Sequence, residues 1–255
     1  MGIKVSQQTS FSLIVLYLRS TVFWLLHIAS LIPVLLILLL FFWAPIGVRY
    51  AIASSWAKMN MRFLKWICGL DYEVKGRENI PAEASLVLMN HQSTWETLAT
   101  QSIFPNQLWV LKKELLRVPL FGWGLALISP IAIDRKAGKK AIDQIVEQGE
   151  AKLNQGRWVI VFPEGTRMAP GVDSKYKMGG FIFATRISHP VLPIAHNAGE
   201  FWPKHSFIKY PGKVTISIGE PFNANGMNPD EVKQRVEGWI KQELKVIGDP
   251  TRYKR

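Results

Sequence analysis

A histidine and a carboxylate stand five positions apart in Asn90-His91-Gln92-Ser93-Thr94-Trp95-Glu96. The apolar run Leu86-Val87-Leu88-Met89 comes just before them, so a turn from strand into helix at this point lets the imidazole and the acid meet. A ring held by a carboxylate is a general base, the equipment needed to activate a hydroxyl. Further along, Phe162-Pro163-Glu164-Gly165-Thr166-Arg167 follows a second apolar run. There a glycine lets backbone approach a ligand closely, and an arginine presents a planar fork to phosphate. Base and anion site together make acyl transfer onto an alcohol conceivable.

The His-acid spacing is weak evidence by itself. With 5 His and 19 acidic residues in 255 positions, it arises by chance roughly a third of the time. Ser93 invites a nucleophile reading, but no G-x-S-x-G elbow surrounds it, and a local capping role explains the hydroxyl better. Cys68, the single cysteine, excludes an intramolecular disulfide and cysteine-rich metal sites and fits a reducing compartment. The run Phe63–Cys68 holds no histidine or acid to activate it, so it reads as a packed thiol.

These residues need elements to hold them. An apolar fraction of 48% with 20% charged residues is too rich in hydrocarbon for disorder, and the length allows one sizeable domain plus an appendage. From Ser20 to Gly47 no side chain carries a fixed charge, which assigns this stretch to lipid. Two arrangements fit it: one tilted spanning helix, or a pair of helices over 11–31 and 34–50, divided at Pro33, that dips into one leaflet. Arg19 and His27 inside the apolar stretch favour the pair. Residues 54–70 read as an amphipathic helix with Lys58, Arg62 and Lys65 on one face, either interfacial or packed on the domain.

Beyond it, 72–74, 86–89, 108–111, 158–162, 191–195 and 214–218 are short β-rich runs. Helical spacing marks 139–153 and 229–246. Asn228 is the expected N-cap of the last helix, with Pro229 in its first turn. Gly122-Trp123-Gly124 and Gly179-Gly180 read as loops. The result is an α/β domain, a mixed β-sheet flanked by helices, over residues 71–255. Residues 1–70 form an N-terminal membrane-inserted helical segment. The formal net charge of +12 suits an anionic membrane or an acidic carrier protein. Nucleic acid is disfavoured, because neither an RNP signature nor a helix-turn-helix pattern accompanies the charge.

The order of His91 to Glu96, Lys112-Lys113-Glu114-Leu115, Ile133-Asp134-Arg135, Phe162 to Arg167 and Val191-Leu192-Pro193-Ile194 resembles the glycerophospholipid acyltransferase family over about residues 70–220. The family usually has Asp at the position of Glu96, one methylene shorter. The resemblance implies transfer from acyl-carrier protein or acyl-CoA to the sn-2 hydroxyl of lysophosphatidic acid, giving phosphatidic acid without a covalent intermediate, cofactor or metal; the alternatives are acylation of another lyso-lipid, such as lyso-ornithine lipid or a lysophospholipid, and a non-catalytic anionic-membrane adaptor. It makes His91 the general base, Glu96 the orienting carboxylate and Lys112 the donor to the developing oxyanion. Arg135, Gly165, Thr166 and Arg167 form the acceptor phosphate site, and Glu164 orients Arg167 or meets a glycerol hydroxyl. Lys177 also matches a family position but is assigned no role. Leu116, Leu120, Phe121, Trp123 and Leu127 are available to line an acyl tunnel. The implied location is the bacterial inner membrane with the catalytic domain facing the cytoplasm.

Overall fold

Nearly uninterrupted hydrocarbon at the start of the chain produces two long helices, α1 (Leu13–Leu40) and α2 (Ile46–Cys68). The computed structural model describes residues 13–134 and 137–254. The expected division at Pro33 is absent, because α1 continues through it. In apolar surroundings, ending a helix exposes more unpaired backbone than one missing N–H does. The chain turns instead at residues 41–45, where extended Pro45 precedes α2. At the far end Gly69 adopts φ +66 and returns its N–H to Leu64 O, closing α2.

The two helices form an antiparallel hairpin, since partners advance along α1 as they retreat along α2. Cys68 Sγ lies 3.8 Å from Arg19 O, His27 Nδ1 lies 2.8 Å from Asn60 Oδ1, and Trp56 Nε1 donates to Ser30 Oγ at 3.1 Å. The outward side of α1 is apolar, exposing Leu25, Ile28, Ile32, Leu36, Leu39 and Leu40. On α2, Lys58, Arg62 and Lys65 face solvent as expected, but Trp66 does too. The opposite side of α2 packs on α1 and on α3 (Trp95–Ile103).

Seven strands form one sheet among the described residues: β1 (Leu70–Lys75), β2 (Leu86–Met89), β3 (Gln107–Lys112), β4 (Ile131–Ile133), β5 (Trp158–Val161), β6 (Val191–His196) and β7 (Gly212–Ile218). Their order is β1-β7-β6-β2-β5-β3-β4. Every neighbouring pair is parallel except β6 with β7. The central strands β2 and β5 are wholly buried, which accounts for their continuous apolar sequences. Helix α4 (Phe121–Leu127) meets α1, while α5 (Lys139–Asn154), α6 (Gly179–Thr185) and α7 (Pro229–Ile247) pack against one another and the sheet. Asn228 Oδ1 accepts from Asp230 N at 2.9 Å and caps α7 as its sequence indicates.

Two glycine clusters expected in loops lie inside α4 and α6. A Cβ on Gly124 would stand 2.5 Å from Leu35 Cδ2, and one on Gly180 would stand 3.0 Å from Val161 Cγ1. Close helix packing, not turning, explains these glycines. The hairpin also shares the domain's core, because Phe23, Ala57, Met61, Leu64 and Cys68 belong to the buried cluster that contains the sheet residues.

Asn60 is fully buried and joins the hairpin, its Oδ1 accepting from His27 Nδ1 and its Nδ2 donating to Trp56 O, both at 2.8 Å. Asn60→Leu is expected to cost about 1–3 kcal/mol, because it strands a ring nitrogen of His27. His27→Leu with Asn60→Leu should cost less than the two single losses combined. Thermal unfolding in detergent micelles measures all three variants, and strictly additive losses would dissolve the proposed coupling.

Candidate active site

The site is built where parallel strands end, as expected of a crevice at the carboxyl edge of an α/β sheet. Just after β2, Asn90 clasps the end of β6: its Nδ2 donates to His196 O and its Oδ1 accepts from His196 N, both at 2.9 Å. The chain then turns, and α3 begins at Trp95. Ser93 stabilises that turn by donating to Trp202 O at 2.6 Å and accepting from Trp95 N at 3.1 Å. Its hydroxyl is therefore committed to the scaffold.

Glu96 lies in the first turn of α3 and is fully buried. Its Oε1 is 2.6 Å from His91 Nδ1 and accepts from Gln92 N at 3.0 Å. Both carboxylate oxygens accept from Ser93 N at 3.0 Å. Burial alone would raise the pKa of this acid. The neighbouring His196 and His91 rings and the Ser93 amide outweigh it and hold the carboxyl below the usual range. An ionised carboxylate only accepts, so Nδ1 of His91 carries the proton and Nε2 keeps its lone pair. The extra methylene of Glu96 spans the gap without loss of contact. Phe162 stacks on the imidazole at 4.1 Å between centroids and fixes the plane of the ring.

The second motif is bolted to the first. Glu164 Oε2 accepts from His91 N at 2.7 Å, and His91 O accepts from Met168 N, also at 2.7 Å. Both peptide groups of the histidine are thus held by the loop that follows β5. Gly165 turns this loop with φ +68, close to the Lys177 side chain. Arg167 Nη1 donates to Thr94 Oγ1 at 2.8 Å, which brings the guanidinium to the His91 loop.

A cavity of about 980 Å³ opens on these groups. His91, Lys112, Gly165, Thr166 and Arg167 line its polar part, together with Lys177 and Lys204. Leu31, Val34, Leu35 and Leu38 of α1 line its apolar part, with Leu111, Leu115, Leu125 and Ile145 from the domain. Lys112 ends β3, two strand spacings or about 9.6 Å from β2.

Glu164 is buried, and its carboxyl meets the His91 backbone. The suggested tunnel residues Leu116, Leu120, Trp123 and Leu127 are not among the lining residues; from this stretch Leu115, Gly124 and Leu125 face the cavity. Arg135 lies outside the described residues. Cys68 is buried, and burial pushes its thiol up to about 11, as befits a packed side chain.

Compared with known proteins, residues 71–197 match the family model described as Acyltransferase. The chain is 44% identical over 214 residues to 1-acyl-sn-glycerol-3-phosphate acyltransferase of Pseudomonas aeruginosa, an alignment covering 81% of this chain and 83% of that protein. This chain belongs to the acyltransferase family. The acyltransferase is also 28% identical over 211 residues to the Saccharomyces cerevisiae 1-acyl-sn-glycerol-3-phosphate acyltransferase, covering 80% and 69% of the two chains. The crystal structure of the 1-acyl-sn-glycerophosphate acyltransferase of Thermotoga maritima shares its fold, with a TM-score of 0.76 at 24% identity over 91% of this chain and 95% of that one.

Sequence reasoning about this acyltransferase missed His196. It is fully buried, its Nδ1 accepts from Ala198 N at 3.2 Å, and its Nε2 therefore donates to Asn90 O at 2.8 Å. Burial lowers its pKa and keeps the ring neutral, with Nε2 4.0 Å from Glu96 Oε2. Only the strand order brings it to Glu96 from 100 positions away, so no local spacing marks it.

Burial pushes the Glu164 carboxyl up to about 8, with Glu96 adding to the rise against the pull of the His91 amide. Such a group favours the folded state while protonated, and that advantage fades as pH climbs from about 4.5, its ordinary value, through 8. Glu164→Gln keeps an acceptor for His91 N but cannot titrate. Unfolding temperatures measured from pH 5 to 8 should therefore fall more steeply for the native protein than for this variant. Parallel curves would mean that Glu164 stays ionised throughout.

Proposed function

We propose that this acyltransferase moves a fatty acyl group from acyl-carrier protein or acyl-CoA to the sn-2 hydroxyl of lysophosphatidic acid, yielding phosphatidic acid and the free carrier thiol. The observation that carries this reading is the lone pair on His91 Nε2, facing a cavity that is cationic near the ring and aliphatic beyond it. The 44% identical Pseudomonas relative bears the name of that activity.

In the proposed reaction the acceptor hydroxyl gives its proton to His91 Nε2 as its oxygen bonds to the thioester carbonyl carbon. The imidazolium that forms is met by Glu96, whose remaining hydrogen bonds are already made, so little reorganisation is needed. Collapse of the tetrahedral intermediate breaks the C–S bond, and the thiolate takes the proton back from the ring. Lys112 is assigned to the developing oxyanion. Arg167, with Thr166 and the neighbouring Lys204 3.5 Å from its hydroxyl, is assigned to the acceptor phosphate. The fatty chain takes the aliphatic part of the cavity.

The same reading puts the protein on the cytoplasmic leaflet of the bacterial inner membrane. Tyr17 of α1 stacks on Phe207, Lys209 N donates to Ser20 Oγ, and Leu31 to Leu38 line the cavity. The domain thus accompanies α1 from residue 17 to 38, about 32 Å of helix. That is a full hydrocarbon thickness, so α1 cannot cross a bilayer while the domain stays in water. An in-plane hairpin in one leaflet satisfies both.

His91→Ala should lower turnover at least about a hundredfold with membrane binding intact. Near-normal turnover with labelled acyl donor would rule out the base. Arg167→Ala should raise KM about tenfold for lysophosphatidic acid while sparing an acceptor without a phosphate monoester. Equal damage with both acceptors would make Arg167 a support of the fold.

A further inference from the structure

The chain between β3 and α4 carries apolar side chains that the fold does not use. Leu115, Val118, Leu120 and Trp123 are 39%, 42%, 52% and 52% exposed. Four large hydrophobic groups within nine residues exceed the scatter expected on a water-facing surface. Arg117 is interleaved with them and exposed, while Lys113, paired with Asp134, and exposed Glu114 stand just before them. Leu120 sits at φ +62, a conformation that glycine adopts without strain, yet the position keeps a large exposed side chain.

The placement of this segment names its occupant. Gly124, directly after it, packs on Leu35 of α1, and Arg49 Nη1 in the first turn of α2 donates to Leu127 O at 2.8 Å. Both contacts lie toward the closed end of the hairpin, where Phe41, Phe42 and Trp43 are exposed. The two apolar surfaces are therefore neighbours. On its inner side the same segment supplies Leu115 to the cavity wall, with Leu125 following in α4. It stands between the cavity and the surface on which the hairpin's apolar residues emerge.

We infer that residues 113–123 form a second membrane-inserted element, lying in the same leaflet as the α1–α2 hairpin and making a lip across which acyl chains pass from the bilayer into the cavity. The inference rests on the in-plane reading of the hairpin. Aliphatic and aromatic tips enter the acyl region, and the Arg117 stem extends back to headgroup phosphates. A lip of this kind lets a lipid keep its tail in hydrocarbon throughout entry, so the chain is never exposed to water.

The test uses full-length protein in a Cys68→Ala background, with an environment-sensitive fluorophore on one introduced cysteine. The positions are Leu120→Cys in the segment, Trp43→Cys at the hairpin tip and Gln234→Cys, which is exposed on α7. Vesicles of phosphatidylethanolamine and phosphatidylglycerol with brominated chains are the probe. Quenching and a blue shift at positions 43 and 120, with neither at 234, are expected. Quenching at 43 alone would overturn the lip while leaving the hairpin in place, whereas quenching at neither would defeat both readings. Burial of the label at 120 by added acyl-carrier protein, but not by vesicles, would assign the segment to a protein partner. In parallel, Leu120→Asp with Trp123→Asp should cut turnover about tenfold for an acceptor embedded in vesicles and leave turnover in detergent micelles unchanged. Equal loss in both media would overturn the inference by making these residues part of the fold.

Discussion

A carboxylate with no solvent contact must be fully supplied with donors, and Glu96 obtains them from its own loop and its own histidine. Leaving such a charge unpaired costs several kcal/mol, so this requirement shapes everything around it. The Gln92 and Ser93 amides must point inward, which places the turn between β2 and α3. The turn in turn needs Ser93 Oγ on Trp202 O and the Asn90 clasp on β6. His196 borders the carboxylate, its Nε2 4.0 Å from Glu96 Oε2.

That dependence explains which parts of the site were legible in the sequence. His91 and Glu96 are joined across one turn, so their residue types and spacing carry the geometry. The meeting of the His91 loop with the Phe162–Arg167 loop depends on β2 and β5 lying side by side, which alternation of strands and helices makes reasonable but does not specify. Glu164 shows a contact that local sequence does not carry. A carboxylate beside an arginine and a glycine looks like part of a ligand site, and only coordinates reveal that the His91 amide has claimed it.

Regular elements are legible where the apolar pattern is long, as in α5, and most sharply where a cap agrees with it, as in α7. The short strand β4, with three residues, and the glycine-bearing helices α4 and α6 were not. Their stability comes from packing against distant partners such as Leu35, Val161 and Leu88, and local propensity is silent about such partners. The same holds for buried Lys209. Its Nζ lies 3.8 Å from the Trp24 ring centroid and 4.8 Å from that of Trp202, joining α1 to the loop that receives Ser93. Burial lowers its pKa to about 7, a cost set by tertiary contacts and invisible in the local sequence.

Helix α1 has two audiences. One side of it presents leucines and isoleucines to the exterior, and a neighbouring stripe, Leu31, Val34, Leu35 and Leu38, walls the cavity. The two faces are different residues on one rigid rod. On the proposed reading, a larger side chain at Leu35 or Leu38 narrows the cavity and leaves the exterior residues as they are, whereas a rigid tilt of the helix moves both faces together.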